Sequence, residues 1–197
     1  MTFYKKNGKI YIENKERGKK MAKMFLMCGH PGSGKSTYAR KFAKINGFRY
    51  LSIDDMYATF NGDPTSHDNK FDVWITFFRQ IHAAEMANQD IVVDTNAPTR
   101  ADRYEFLNWF PDFDHYLIWV NAPEELCLKN NKHRSRVIPE DQMRKLFNIL
   151  EVPDRQETLV NKTRSNWKGI FEVRNENNFF ECIQIMSGSF PIGVAVL

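Results

Sequence analysis

Gly29-His30-Pro31-Gly32-Ser33-Gly34-Lys35-Ser36-Thr37 is the stretch that decides the fold of this chain. It fits the pattern G-x-x-x-x-G-K-[ST] and directly follows the apolar run 24–28, which predicts a buried strand, a glycine loop and a helix start in that order. In such a P-loop, backbone N–H groups surround a phosphate chain. Lys35 is then expected to reach the β- and γ-phosphates of ATP, and the Ser36 hydroxyl to contact Mg²⁺. A glycine turn that merely precedes a lysine is the alternative, and it leaves the flanking strand and helix signals without a reason.

The residues predicted to bind the nucleotide are those of this loop: Gly29, Pro31, Gly32, Ser33, Gly34, Lys35, Ser36 and Thr37.

The composition of the whole chain indicates one globular domain. It has 197 residues with 16 Phe and 4 Trp, which is enough for a substantial core. Three scattered cysteines form no C-x-x-C pair, so neither a disulfide framework nor a zinc site is predicted. Without a long apolar run or a secretory signal, a cytoplasmic protein with no membrane partner is expected.

The net charge of +4 is concentrated at the amino end. Residues 1–23 contain eight basic and two acidic side chains, a net +6, which leaves −2 for the remainder. Within this arm, residues 2–12 indicate a β-hairpin with Asn7-Gly8 at its turn, and residues 15–20 a linker. The arm is expected either to contact a polyanion or simply to stay solvated.

Strand and helix signals alternate from residue 24 onwards. Strands are predicted at 24–28, 48–53, 91–93, 115–120 and 167–173, and helices at 36–46, 71–86, 99–110, 123–128 and 139–150. Alternation of this kind gives parallel βαβ units, so the predicted fold is a three-layer α/β sandwich with a central parallel sheet. Residues 24–175 are assigned to this domain, and 176–197 to a carboxy-terminal strand or tail.

Polar clusters follow three of the predicted strands: the P-loop, Asp54-Asp55 and Asp94-Thr95-Asn96. In open α/β sheets ligands bind at the carboxyl ends of strands, so the clusters are predicted to line one cleft. Asp54 is the candidate general base, because it shares a strand face with Ser52 while Asp55 points away. Asp55 is assigned to neighbouring backbone or substrate-side groups. Asp94 is the candidate acidic group near Mg²⁺, with a cap for the strand-end turn as its alternative.

Arg134 and Arg136 lie in a basic crossing between two predicted helices. A loop that carries arginines can close over ATP and stabilise charge on the transferred phosphoryl group. Both residues are therefore candidate catalytic groups, and a solvated basic loop is the alternative.

Four stretches together resemble the kinase domain of the bacteriophage-type polynucleotide 5′-hydroxyl kinases. They are GHPGSGKSTYARKFA, SIDDMY, VVDTNAPTRADR and NAPEELCLKNNKHRSRVIPEDQMRKLF, and they cover residues 24–150 in the order of that family. The P-loop is shared by many families, whereas the Asp pair, the DTN segment and the basic lid are more specific. The resemblance implies a P-loop kinase with a helical lid that transfers the ATP γ-phosphate to 5′-OH ends of DNA or RNA. Repair of cut nucleic-acid ends is the role that the family implies.

Under this resemblance, Lys35 and Ser36 serve the phosphates and the metal, Asp54 matches the general base, and Asp94 matches the acidic residue of the DTN segment. Arg134 or Arg136 matches the lid arginine. The family places an arginine three positions beyond the base, where this chain has Tyr57. Another cation, such as Arg100 or Arg103, is expected to compensate, or the acceptor differs from a standard nucleic-acid end. The residues assigned to the substrate side are Asp55, Tyr57, Asp94, Thr95, Asn96, Arg100 and Arg103.

Two other functions stay open on the sequence. One is a P-loop kinase of a small molecule or a nucleotide sugar, including toxin-like kinases, and the other is a non-catalytic ATP-binding adaptor. The stretch 112–115 carries only the first part of a D-x-D-G-T phosphatase motif, and no K-x-D-G ligase motif is present. Neither phosphatase nor ligase activity is therefore predicted, and the sequence does not indicate an oligomeric state.

Overall fold

The computed structural model describes residues 2–6, 9–13, 21–62, 69–134, 137–158, 166–177 and 179–184. Within these ranges the strands are β1 (Thr2–Lys6), β2 (Lys9–Glu13), β3 (Lys23–Cys28), β4 (Arg49–Ser52), β5 (Ile91–Asp94), β6 (Asp114–Asn121), β7 (Trp167–Glu176) and β8 (Phe179–Gln184). The helices are α1 (Lys35–Asn46), α2 (Ile53–Asn61), α3 (Lys70–Met86), α4 (Arg100–Trp109), α5 (Glu124–Asn131) and α6 (Glu140–Ile149), and a 3₁₀ turn spans Arg155–Thr158.

β3 to β8 form one six-stranded sheet in the order β4-β5-β3-β6-β7-β8. The first five strands in this order run parallel, and β8 pairs antiparallel with β7 at the edge. The predicted sandwich with a parallel centre is confirmed, and β8 is the expected carboxy-terminal edge strand. Residues 185–197, the rest of the predicted tail, lie outside the described residues.

Helices cover both faces of the sheet. Successive side chains of β3 point to opposite sides, so alternate residues pack against the helices of one face or the other. Met24, Leu26 and Cys28 pack against α2, α3 and α4 on one face. Phe25 and Met27 pack against α1 on the other face. All five side chains are fully buried, which explains the continuous apolar run of this central strand. β3 ends at Cys28, and the P-loop therefore begins at the carboxyl edge of the sheet.

The amino-terminal hairpin is confirmed as two strands. β1 and β2 pair antiparallel with Lys6 opposite Lys9. The predicted turn at residues 7–8 and the linker at 15–20 lie outside the described residues.

Helix α2 is the element that the sequence analysis missed. The second strand ends at Ser52, not at Asp54-Asp55, and the chain turns at once into a helix. Ser52 caps this helix, because its side-chain oxygen accepts the N–H of Asp55 at 3.3 Å. The Ser-x-x-Asp spacing at 52–55 is a helix-start signal that sequence analysis could have used. None of the helices in the described part of the chain is long and apolar enough to span a membrane.

Candidate active site

A cavity of about 580 Å³ lies where the carboxyl ends of β3, β4 and β5 meet the P-loop and the helices that follow. Four parts of the chain line it: the P-loop, the starts of α2 and α3, the segment after β5, and the region of α5 and α6. From the P-loop come His30, Pro31, Gly32, Gly34, Lys35, Ser36 and Thr37. From the other parts come Ile53, Asp54, Tyr57, Lys70, Trp74, Thr95, Asn96, Asn130, Arg134, Ile138 and Leu146.

The P-loop has a positive φ angle at each of its three glycines, Gly29, Gly32 and Gly34. Gly32 and Gly34 have φ angles of 80° and 88°, in the left-handed region that residues with a Cβ rarely adopt. A Cβ at Gly32 would lie 2.3 Å from the Cys127 carbonyl oxygen of α5, so the loop packs directly against that helix. Gly29 and Ser33, both predicted to bind nucleotide, are buried within the loop and are not among the residues that line the cavity.

Lys35 and Asp94 form the polar floor behind the P-loop. The Lys35 Nζ lies 3.7 Å from the Asp94 Oδ1, and the Asp94 side chain is only 4% exposed. The Tyr50 hydroxyl donates a hydrogen bond to the other carboxylate oxygen, Oδ2, at 2.7 Å. Burial, reinforced by the charge of Asp94, raises the pKa of Tyr50, so the phenol keeps the proton that it donates. Asp94 is therefore held in one orientation from two sides.

Asp54 and Asp55 occupy the first turn of α2, and the prediction that strand alternation separates them is wrong. In a helix, neighbouring residues are about 100° apart, which also directs them to different surroundings. Asp54 is exposed and lines the cavity. Asp55 accepts a hydrogen bond from Arg40 at 3.0 Å, and the Arg40 guanidinium lies 5.2 Å from the centre of the Tyr50 ring. In this arrangement Asp55 contacts α1 and lies outside the cavity lining.

The segment between α5 and α6 places Arg134 on the cavity. Two hydrogen bonds join Asn131, at the end of α5, to Ile138, shortly before α6. The Asn131 Nδ2 donates to the Ile138 carbonyl at 2.7 Å, and its Oδ1 accepts the Ile138 N–H at 3.1 Å. The Arg134 N–H donates to the Asn131 carbonyl at 3.2 Å, which continues α5 by a turn. Arg136, the other candidate lid arginine, lies outside the described residues.

His30 joins the P-loop to α6. Its ring lies edge-on to Phe147, with 4.6 Å between ring centres. Partial burial lowers the pKa of His30, with an opposing contribution from Glu124 and a further lowering by Lys35. The imidazole is therefore neutral at pH 7 and packs between the P-loop and α6.

Arg103, predicted on the substrate side, is buried in the fold and is not among the residues that line the cavity. Its side chain is fully buried and paired with Glu157, whose carboxylate is equally buried. The same guanidinium donates to the backbone carbonyls of Ala97, Pro98 and Glu151. Arg103 thus fastens the segment after Asn96 to the 3₁₀ turn.

Arg100 also lies outside the cavity lining. Its guanidinium pairs with Asp154 at 3.0 Å, and its backbone N–H donates to Glu151. Neither arginine that sequence analysis put forward as a compensating cation reaches the cavity. Lys70, at the first turn of α3, lines the cavity with Trp74. Sequence analysis missed Lys70, Trp74 and Tyr50, since no motif contains them, and it gave no role to Asn130 within the lid stretch.

The site fits a nucleoside triphosphate with Mg²⁺. The glycine turns, Lys35, Ser36 and Thr37 provide backbone and side-chain donors for phosphate oxygens along one wall. Ser36 and Asp94 offer one hydroxyl and one carboxylate, and Mg²⁺ commonly takes its other ligands from substrate phosphates and water. Asp94 is not among the lining residues, but its Oδ1 lies 3.7 Å from the Nζ of Lys35, which lines the phosphate-binding wall.

Comparisons with known proteins agree with this fold. A family model described as "AAA domain" matches residues 24–153. A chain of the solved "Pnkp1/Rnl/Hen1 RNA repair complex" has a TM-score of 0.61 at 19% identity, and the match covers 70% of this chain and 47% of that one. This chain therefore spans about half the length of its counterpart in that complex.

Two kinases match over more of their own length. A sugar kinase from Janibacter sp. has a TM-score of 0.52 at 14% identity, covering 77% of this chain and 85% of that one. A putative kinase from Chloroflexus aurantiacus has a TM-score of 0.51 at 18% identity, covering 68% and 78%. No curated protein matches the chain. At identities this low, the similarity to solved structures shows a shared fold.

Proposed function

This chain belongs to the AAA domain family, and we propose that it is an ATP-dependent polynucleotide kinase that transfers the γ-phosphate of ATP to a 5′-hydroxyl end of DNA or RNA. Its fold is that of the P-loop kinases, which implies nucleotide binding. One observation carries the proposal: the P-loop, Asp54 and Arg134 line the same cavity. Phosphoryl transfer needs a phosphate cradle, a group that receives the acceptor proton and cations that match the developing charge. We assign the catalytic domain to residues 24–175, the arm to 1–23 and the tail to 176–197.

In the proposed reaction the 5′-hydroxyl oxygen bonds to the γ-phosphorus while the bond to the bridging β,γ-oxygen breaks and ADP leaves. Lys35 and the P-loop N–H groups hold the phosphate chain, and Arg134 faces it from the lid side. Asp54 receives the hydroxyl proton, because an exposed carboxylate at the cavity wall can reach an acceptor that enters from solvent. Mg²⁺, held by Ser36 and Asp94, would neutralise charge on the β- and γ-phosphates.

The acceptor end of the cavity supports a nucleotide rather than a small polyhydroxylated molecule. Trp74 gives the cavity an aromatic surface, the largely buried Tyr57 and Ile53 add apolar lining, and Lys70 adds one cation. Aromatic side chains stack on nucleobases whatever their sequence, and lysine pairs with phosphate. We assign to Lys70 the compensating charge that sequence analysis sought in Arg100 and Arg103. Thr95 and Asn96 complete this end with polar groups.

A small-molecule kinase is the second candidate, and the same cavity favours it on one count. Asp54, Thr95 and Asn96 line the same cavity, and such groups also bind the hydroxyls of sugars. A non-catalytic adaptor is the third candidate, and it gives no reason for Asp54 and Arg134 to share the cavity of the P-loop.

The test is transfer of label from γ-labelled ATP to a 5′-OH oligonucleotide, compared across variants. Lys35→Ala is expected to lose both ATP binding and transfer. Asp54→Asn, which is isosteric, is expected to keep ATP binding and to lose transfer by about a hundredfold or more. Lys70→Ala is expected to raise KM for the oligonucleotide, whereas Lys44→Ala, an exposed lysine on α1, serves as its matched control. Wild-type protein that labels a sugar but no oligonucleotide would favour the second candidate.

A further inference from the structure

Two asparagines from distant parts of the chain each donate a hydrogen bond to a backbone carbonyl of the P-loop. The Asn130 Nδ2, from α5, donates to the Gly32 carbonyl oxygen at 2.8 Å. The Asn175 Nδ2, from β7, donates to the Ser33 carbonyl oxygen at 2.7 Å. These are consecutive carbonyls, so two neighbouring peptide planes of the loop are each held by an asparagine side chain.

The direction of a carbonyl determines the direction of the next N–H. The peptide bonds of the described loop are trans, so the Ser33 carbonyl and the Gly34 N–H lie in one peptide plane and point in opposite directions. With the Ser33 oxygen held outward by Asn175, the Gly34 N–H is turned to the inner side, where the phosphate-binding cavity lies. The preceding N–H, that of Ser33, donates within the loop to the His30 carbonyl at 3.1 Å.

The neighbourhood of Gly34 leaves little room for another arrangement. Asn175 is fully buried, and a Cβ at Gly34 would lie 2.6 Å from its Nδ2. Glycine is also the residue whose flanking peptides rotate most easily, since it populates positive and negative φ alike. A loop with glycines at 32 and 34 therefore needs an external hold to keep one orientation.

We propose that Asn175 and Asn130 are positioning residues that keep the P-loop in its phosphate-binding conformation before the nucleotide arrives. Asn175 orients the Gly34 N–H, and Asn130 ties the same loop to the helix from which Arg134 follows. This inference rests on the ATP-binding part of the proposed function and is independent of the acceptor. The size of the effect depends on a population. If only a fraction of the molecules hold the P-loop in its phosphate-binding conformation, the apparent affinity for ATP falls in proportion to that fraction.

The decisive experiment measures ATP affinity of the folded Asn175→Asp variant by calorimetry between pH 5.5 and pH 8. At pH 8 the carboxylate accepts only, and it repels the Ser33 carbonyl. If the competent fraction falls to about 1–10%, affinity weakens by about tenfold to a hundredfold. As pH falls, a protonated carboxyl can donate as the amide did, so affinity relative to wild type recovers. Asn175→Leu, which never donates, is expected to stay weak at every pH.

Asn46→Asp is the matched control, because the Asn46 Nδ2 also donates to a backbone carbonyl, that of Phe42 at 2.8 Å, but at the far end of α1. It is expected to bind ATP as wild type does. Should Asn175→Asp not fold, the half-buried Asn130→Leu carries the test, because it removes the donor without adding a charge to the cavity that Asn130 lines, and the expected loss is about threefold to tenfold. Wild-type protein that fails to bind ATP would overturn the proposed function. Wild type and the position 175 variants, or Asn130→Leu in their place, binding ATP equally well would overturn the positioning role alone.

Discussion

Replacing Arg103 with methionine tests whether this residue stabilises the fold or binds substrate. The change removes a guanidinium that is fully buried and leaves the Glu157 carboxylate buried without its partner. The carbonyls of Ala97, Pro98 and Glu151 lose their donors as well. Breaking a buried ion pair from one side costs about 3–5 kcal/mol, a large part of the 5–15 kcal/mol typical of a whole domain.

The assay is urea unfolding followed by tryptophan fluorescence, with the midpoint and slope compared between variants. Arg40→Met is the matched control, since it removes the same group from an ion pair with Asp55 in which both side chains are 55% exposed. Its expected cost is below about 1 kcal/mol. In the double variant Arg103→Met/Glu157→Gln, part of the lost stability should return, because no unpaired charge is left buried. Equal stability of the two single variants, with a raised acceptor KM only for Arg103→Met, would refute the structural role and restore a substrate role.

Two further predictions follow from buried hydroxyl and imidazole groups. Tyr50→Phe removes the hydrogen bond to Asp94 Oδ2 while keeping the ring beside Arg40. We expect the variant to stay folded with a somewhat lower melting temperature, and the Mg²⁺-dependent gain in its ATP affinity, measured by calorimetry, to fall by about threefold to tenfold. An unchanged Mg²⁺ dependence would contradict the positioning of Asp94 by Tyr50. Burial lowers the pKa of His115 to about 4, against a smaller opposing effect of its hydrogen bond with the Phe110 carbonyl. The unfolded chain then binds more protons between about pH 6.5 and pH 4, so stability should decrease by roughly 3 kcal/mol as pH falls through that window. His115→Gln should flatten this dependence in urea titrations at pH 7 and pH 4.5, and an unaltered slope would assign the acid sensitivity to other groups.

The parts of the fold that were predictable from the sequence are those with local causes. The P-loop motif placed a strand, a turn and a helix at 23–46, and apolar periodicity located α3 and α4 to within a residue or two. The capped start of α2 had a local cause too, in the Ser52 to Asp55 spacing, but the strand pattern before it was extended too far.

The remaining site features depend on contacts between residues far apart in sequence. Asn175 lies 142 positions from the carbonyl that it holds, and Glu157 lies 54 positions from Arg103. An arginine that follows a DTN segment has the same sequence signature whether it faces a ligand or a buried glutamate. Lys70 belongs to no motif, and only the packing of α3 beside α2 brings it to the cavity.

The central claim is that the donor and acceptor of one phosphoryl transfer meet in this cavity. The most direct measurement incubates the wild-type protein with γ-labelled ATP, Mg²⁺ and a 5′-OH oligonucleotide, beside the same oligonucleotide made with a 5′-deoxy end. We predict that label appears on the first oligonucleotide, is removed by a 5′-phosphatase, and is absent from the second. ATP binding with no label on the 5′-OH oligonucleotide, in either DNA or RNA form, would contradict the account.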